Sequence, residues 1–225
     1  MPPLRSPRVH EREALRREIL DAARKLFAGE GYARVTMRRI AAEIGYSATT
    51  IYHHFPDKLA LFHAICDEDF DRLRVAFAAT QAAADPVERL RLLGHGYLAF
   101  AEAHPNQFRL MFMTQLADAE RQSLVTASAD KRGDPARDAY ALLVTTVQAA
   151  IDAGRIRPAW REAQLAAQTL WAAVHGLCAL DLDHGNDPWV AWSPRPERAR
   201  ALVEAVLAGM TLPPSPPDPA IGNEG

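Results

Sequence analysis

The segment from Thr36 to Lys58, TMRRIAAEIGYSATTIYHHFPDK, constrains the fold more than any other stretch, because a glycine and two hydroxyl residues punctuate it at helical intervals. Thr36 can cap a helix carrying Ile40, Ala41 and Ile44, its hydroxyl accepting one of the amide hydrogens that a first turn leaves unpaired. Gly45 can adopt the left-handed conformation that ends a helix. Ser47 then offers a second cap ahead of Ile51 and Phe55, which lie four residues apart on one buried face, while Thr49, Tyr52 and His53 project elsewhere. Helix, glycine turn and capped second helix form the helix-turn-helix pattern, in which the second helix enters a DNA major groove.

An ordinary helical hairpin would satisfy the same spacing. Charge argues for the nucleic-acid reading. Through residue 60 there are 11 Lys and Arg against 7 Asp and Glu, whereas the remaining residues carry 15 against 21, so the net charge of −2 cancels a basic front against an acidic remainder. Phosphate neutralisation needs cations where the DNA lies.

The stretch IYHHFPDKLALF resembles the signature that closes the DNA-binding domain of the TetR family of transcriptional regulators, and the likeness runs back through EILDAARKLFAGEGYARVTMRRIAAEIGYS, covering residues 16 to 65. The resemblance implies a three-helix DNA-binding domain followed by a helical, dimeric and usually ligand-binding remainder.

The periodicity is helical throughout, without a convincing strand hairpin, so an all-α protein of about nine helices is expected. Leu15, Ile19, Ala22 and Leu26 mark a first helix that Gly31 ends. Asp57 can cap a long fourth helix reaching about Ala79, with Phe62, Ile65, Leu73 and Phe77 on its apolar face. Asp85 and Pro86 open a fifth helix to about Ala103, and Pro105 opens a sixth through FRLMFM. The polar stretch TASADKRGDPARD precedes a seventh helix ending near Gly154. An eighth runs from about Glu162 to Leu182 and a ninth from Pro196 to Gly209. The expected division is an arm over 1–10, a helix-turn-helix domain over 11–56, a ligand-binding and dimerisation domain over 57–210, and a Pro-rich disordered tail over 211–225, where five of the last fifteen residues are proline.

No uninterrupted apolar run is read as long enough to span a bilayer, and the start lacks a signal-peptide core, which predicts a cytoplasmic protein with no membrane partner. Cys66 and Cys178 are expected to be free thiols. No CxxC, HExxH or phosphate loop occurs. The DLDHGND segment holds Asp181, Asp183 and His184 but lacks the later acid of a calcium loop or a second helically spaced histidine, so no metal and no cofactor are expected.

Site roles follow from chemistry. Ala48 and Thr49 begin the second helix of the motif, where side chains reach base edges; Ala48 offers a methyl surface and Thr49 a hydroxyl and a methyl. Thr50 follows them. Arg38 and Arg39 are read as phosphate-neutralising before base-reading. The resemblance places Tyr52, His53 and His54 at backbone-phosphate positions, with Lys58 beside them at a helix N-terminus that itself favours anions. Thr36 and Ser47 can add hydroxyl or backbone contacts. Arg5 and Arg8 could serve as arm contacts, although a free terminus is the plainer reading.

In the second part, LWAAVHGLCAL resembles the Trp…His-Gly signature of one subgroup of TetR C-terminal domains, and HPNQFRLMF fits that subgroup as well. Tyr97, Phe100, Phe108, Met111, Phe112, Trp171, His175 and Cys178 could line a partly apolar effector cavity; the competing reading is solid core. Leu202, Val206, Leu207 and Met210 are the candidates for a dimer interface, which the family pattern favours over intramolecular packing. The function expected is a homodimeric repressor that binds a palindromic double-stranded operator and releases it when a small molecule binds. The alternatives are an activator, or a helical adaptor that uses the same headpiece on protein. No nucleophile, base and orienting group assemble into an enzyme site.

Overall fold

A computed structural model describes residues 7–185 and 187–213. Among them ten α-helices follow in order: α1 (Pro7–Glu30), α2 (Met37–Glu43), α3 (Ala48–Tyr52), α4 (Lys58–Ala78), α5 (Pro86–Ala103), α6 (Pro105–Met113), α7 (Asp118–Ala127), α8 (Ala139–Asp152), α9 (Ala163–His184) and α10 (Arg195–Met210). An isolated antiparallel bridge joins Ile156 to Thr211. The all-α expectation holds, with one helix more than the pattern predicts. The addition is α7, which the sequence reading left between its sixth helix and the polar stretch.

Two compact units emerge. The first takes the described residues through Ala76 together with Phe100–Arg132, and the second takes Phe77–Ala99 and the described residues from Gly133 onward.

In the first unit the caps form as the sequence suggests. Thr36 Oγ1 accepts from the Arg39 amide at 3.1 Å, Ser47 Oγ from the Thr50 amide at 3.2 Å and Asp57 Oδ1 from the Ala60 amide at 2.7 Å. Gly31 and Gly45 take φ of +84° and +73°, the left-handed values that let α1 and α2 end abruptly. Ile19, Leu26, Phe27, Val35, Ile40, Ile51, Phe55, Leu61, Phe62 and Ile65 are buried together, each contributing about 1.5–3 kcal/mol of transfer free energy. Leu110 of α6 belongs to the same core, and Leu116 and Leu124 pack against it. The helix-turn-helix core thus draws on chain far beyond the motif.

Beneath it, α1 and α4 share a buried ionic clasp. Arg24 Nε donates to Asp69 Oδ2 at 3.3 Å, its other nitrogens reach Asp21 and Glu68, and Asp69 is also held by Arg72. Burial, only partly offset by Arg24, raises the Asp69 pKa above the usual carboxylate value.

The second unit is built on α9, with α8 and α10 packed along it. Gly94 of α5 allows a close approach to α10, since a Cβ there would meet Val203 Cγ2 at 3.2 Å. Arg91 Nε donates to Glu204 Oε1 at 2.7 Å, and Arg155 Nη1 donates to Asp85 Oδ1 at 2.9 Å. Leu212 and Arg155 join through their backbones at 2.7 Å, so the chain just past α10 is tied down as far as Leu212.

Three expectations change in detail. Helix α1 begins at Pro7, so residues 7–10 of the expected arm are helical and Arg8 sits in the first turn, while Arg5 lies outside the described residues. Most of the Pro-rich tail also lies outside them. The membrane reading is qualified at α9, which is 22 residues long with a window of mean hydropathy 1.2 and so, by length and composition alone, long and apolar enough to cross a bilayer. Gln164, Gln168 and His175 break the run of apolar letters, but no charge falls between Ala163 and Leu180. Only 22% of that window is buried, so α9 does not owe its apolar character to a place in the core.

Candidate nucleic-acid interface

Helix α3 is five residues long and stands on one side chain. Ile51 is fully buried while Thr49, Tyr52 and His53 are exposed, with Tyr52 at 51% of its free surface. Spacings of three and four residues place these three on one outward face. Ala48 is half-buried against the core. Thr50 Oγ1 sits 2.9 Å from Ser47 Oγ, so both hydroxyls belong to the cap.

The cations divide by partner. Arg38 is exposed and forms no ion pair among the described residues. Arg39 is held at 3.0 Å by Glu30 and at 2.9 Å by Glu43. The Glu43 hydrogen bond, with Glu30 adding to it, raises the Arg39 pKa. Phosphate must compete with two carboxylates for Arg39, whereas Arg38 needs no such exchange.

His54 turns partly inward. Burial first, then the nearby Arg12 and Arg16 charges, lowers its pKa, which favours the neutral ring near pH 7 and weakens it as an anion contact. Lys58 is engaged as well. Its Nζ donates to the Tyr32 carbonyl at 2.9 Å and lies 4.2 Å from the Tyr32 ring centroid. Two ammonium hydrogens remain for a phosphate.

Tyr46 is 44% exposed in the turn between α2 and α3. Sequence reasoning passed over it, although an aromatic residue wedged between Gly45 and Ser47 has no helical face on which to be buried.

The geometry places a short, capped, polar-faced helix beside exposed basic residues. A family model described as bacterial regulatory proteins, tetR family, matches residues 19–65, and a second, described as the tetracyclin repressor-like C-terminal domain, matches residues 90–210. The chain belongs to the TetR family. That family comprises transcriptional regulators rather than enzymes.

Curated relatives of this TetR-family chain resemble part of it. The HTH-type transcriptional repressor Rv1474c of Mycobacterium tuberculosis is 49% identical over 69 residues, which is 30% of this chain and 37% of the relative. The nucleoid occlusion factor SlmA of Vibrio campbellii is 33% identical over 98 residues, covering 43% of this chain and 50% of that protein. The match therefore spans between about a third and a half of these relatives. A solved structure of a protein of unknown function from Rhodococcus sp. RHA1 superposes with a TM-score of 0.69 at 26% identity, over 88% of this chain and 96% of that one.

The eight residues suggested for an effector cavity of the TetR-family chain divide between its units. Phe100, Phe108, Met111 and Phe112 belong to the first, where the Phe108 and Phe112 rings lie 4.9 Å apart and the Phe70 and Phe112 rings 5.5 Å apart. Tyr97, Trp171, His175 and Cys178 belong to the second. There Trp171 Nε1 donates to the Tyr97 hydroxyl at 3.2 Å, and that hydroxyl lies 2.9 Å from His175 Nδ1. Burial lowers the His175 pKa, which favours the neutral ring. With the indole N–H filling one acceptor site of the hydroxyl, the consistent assignment has Tyr97 donating to Nδ1 and the His175 proton on Nε2. Phe108 and Cys178 are fully buried, and burial pushes the Cys178 thiol up to about 12. Both behave as core.

The four residues suggested for a dimer face also divide. Leu202 and Val206 are half-buried, but Leu207 and Met210 are each only 2% exposed. Those two pack inside the second unit and leave the list of interface candidates.

Proposed function

We propose that the chain is a homodimeric DNA-binding repressor whose operator is a palindrome and whose release is triggered by a partly apolar small molecule. The observation that carries the reading is the outward face of α3, Thr49, Tyr52 and His53 on a capped helix, inside the stretch that the TetR-family DNA-binding model matches. In this reading Arg38, Tyr52 and Lys58 contact phosphate, Thr49 and the methyl of Ala48 contact base edges, and Arg39, Thr36, Ser47, Thr50, His53 and His54 position or flank them. The work is done in the cytoplasm, where the DNA is.

Dimerisation falls to the outer faces of α9 and α10. On α9, Leu165, Ala172, Gly176 and Leu180 are exposed at successive intervals of seven, four and four residues, and on α10 Ala201, Ala205 and Gly209 are exposed beside the half-buried Leu202 and Val206. A Cβ on Gly176 or Gly209 would meet nothing within 4 Å in its own chain. Each glycine costs about 1 kcal/mol of helix stability relative to alanine, a cost that a closely approaching second helix can offset. This reading also accounts for the low burial of so apolar a helix as α9.

The effector is assigned to the residues that surround the Tyr97–His175–Trp171 hydrogen bonds, where polar groups stand among apolar ones. A ligand releases DNA only by preferring the conformation with misplaced headpieces. Replacing Tyr52 and Lys58 together by Ala is expected to abolish retention of the operator in a gel shift while sedimentation still shows a dimer. Retention at the wild-type level would remove the DNA role from both residues.

A further inference from the structure

Helix α7 was not foreseen from the sequence, and it lies on the helix-turn-helix core. Leu116, just ahead of it, and Leu124 within it pack against that core. Three polar contacts run along it. Glu120 Oε1 accepts from the Tyr32 hydroxyl at 2.9 Å, while its other oxygen accepts from the Ala117 amide at 3.2 Å and caps α7 itself. Past its C-terminus, Ser128 Oγ lies 2.9 Å from His63 Nε2, and Lys131 Nζ lies 2.8 Å from Asp67 Oδ1. Both of the latter partners stand on α4. The helix is therefore fixed at its start to the turn between α1 and α2, and past its end to α4.

Tyr32 is where this attachment meets the DNA face. Its ring is 7% exposed and packs on Phe27 and Phe62, at centroid distances of 5.4 and 4.8 Å. Its carbonyl and ring face hold the Lys58 ammonium, and its hydroxyl is held by α7. One residue thus ties α7 to the lysine at the start of α4. A long, flexible lysine side chain loses rotamer freedom when it binds a phosphate, and a partner that already fixes its head lowers that cost.

We propose that α7 is a clamp that positions Lys58 for phosphate through Tyr32, so that displacing α7 weakens DNA binding without touching any residue at the DNA surface. Tyr32 and Glu120 are positioning residues; Lys58 makes the contact. The proposal rests on the DNA-binding function argued above and adds a route by which it is regulated. The 128–138 segment that follows α7 leads directly into α8 of the second unit, so the chain itself joins the clamp to the part assigned to the effector.

The test uses the full chain and a duplex enriched by the wild type from random DNA, and it measures affinity across a salt series. K58A is expected to weaken binding at least tenfold and to reduce the log–log salt slope by about one for each headpiece. Y32F keeps the ring and the carbonyl and removes only the bond to Glu120. It is expected to lose at least threefold in affinity and to show a smaller salt slope, whereas E120Q, whose remaining oxygen can still accept from Tyr32 while the bond to the Ala117 amide is given up, stays closer to the wild type than Y32F does. Binding DNA is also expected to slow amide exchange in α7 of the wild type and not of Y32F, because coupling between two sites is reciprocal. If Y32F melts below the assay temperature, E120A replaces it under the same criteria. Wild-type affinity and slope in the clamp variant, beside a loss in K58A, overturn the clamp and leave DNA binding standing. An unaltered K58A also overturns it, because Lys58 then anchors nothing. Failure of the wild type to enrich any sequence overturns the DNA-binding function, and the clamp with it.

Discussion

The five residues of α3 and the twenty-two of α9 use a helix surface in opposite ways. Helix α3 buries one residue, is capped at its start by Ser47 and turns polar side chains outward; alone it would be far too short to persist in water, so the core beneath it supplies its stability. Helix α9 has length and apolar character to spare, yet Leu165, Trp171 and Leu180 remain 47%, 38% and 42% exposed. A polar face on a rigid seat suits a charged, hydrated partner such as DNA. An apolar face without its own cover suits another protein surface, and a second copy of the chain is the partner proposed here.

The contrast can be broken at either helix. The largest effect is expected at the seat of α3. Asp69→Ala removes the buried partner of Arg24 and should cost about 3 kcal/mol, near the low end for breaking a buried pair because Asp21 and Glu68 still hold the guanidinium. Urea unfolding with an unchanged m-value would register it, and a loss under 1 kcal/mol would mean that the clasp does not support the headpiece. On α9, Leu180→Glu places a charge in the proposed dimer face and should weaken self-association by about 2 kcal/mol or more, roughly thirtyfold, with helix content retained. Sedimentation equilibrium decides, and unchanged association would move the interface elsewhere. A smaller effect returns to α3. Ser47→Ala removes the cap and should cost about 1 kcal/mol, seen as faster amide exchange at Thr50 and Ile51.

The smallest effect concerns pH. His175 is held neutral, with its folded pKa below the ordinary 6.5, so its contribution to stability is fully present above that value and is lost as pH falls through the lower folded pKa. The difference in melting temperature between wild type and His175→Gln should therefore shrink between pH 7.5 and pH 5. A constant difference would show that the ring titrates freely.

The caps at Thr36, Ser47 and Asp57, the turn glycines Gly31 and Gly45 and the buried Ile40, Ile51 and Phe55 were legible in the sequence because local chemistry dictates them. Helix α7 was not, since only Leu116 and Leu124 mark its packed side and two apolar residues make no readable period. The engagement of Arg39 with Glu30 was hidden for another reason: an acid nine residues away is adjacent only once α1 and α2 are folded against each other. Leu207 and Met210 look the same in sequence as Leu202 and Val206, and only the packing of α10 on α9 separates core from surface.

Selection of bound sequences from a random pool of duplex DNA tests the central claim most directly. The account predicts an enriched palindrome whose half-sites lie about 34–36 Å apart or a multiple of that, with enrichment lost when Tyr52 and Lys58 are both replaced by Ala. A pool that stays random, or an enrichment that survives that double replacement, would contradict it.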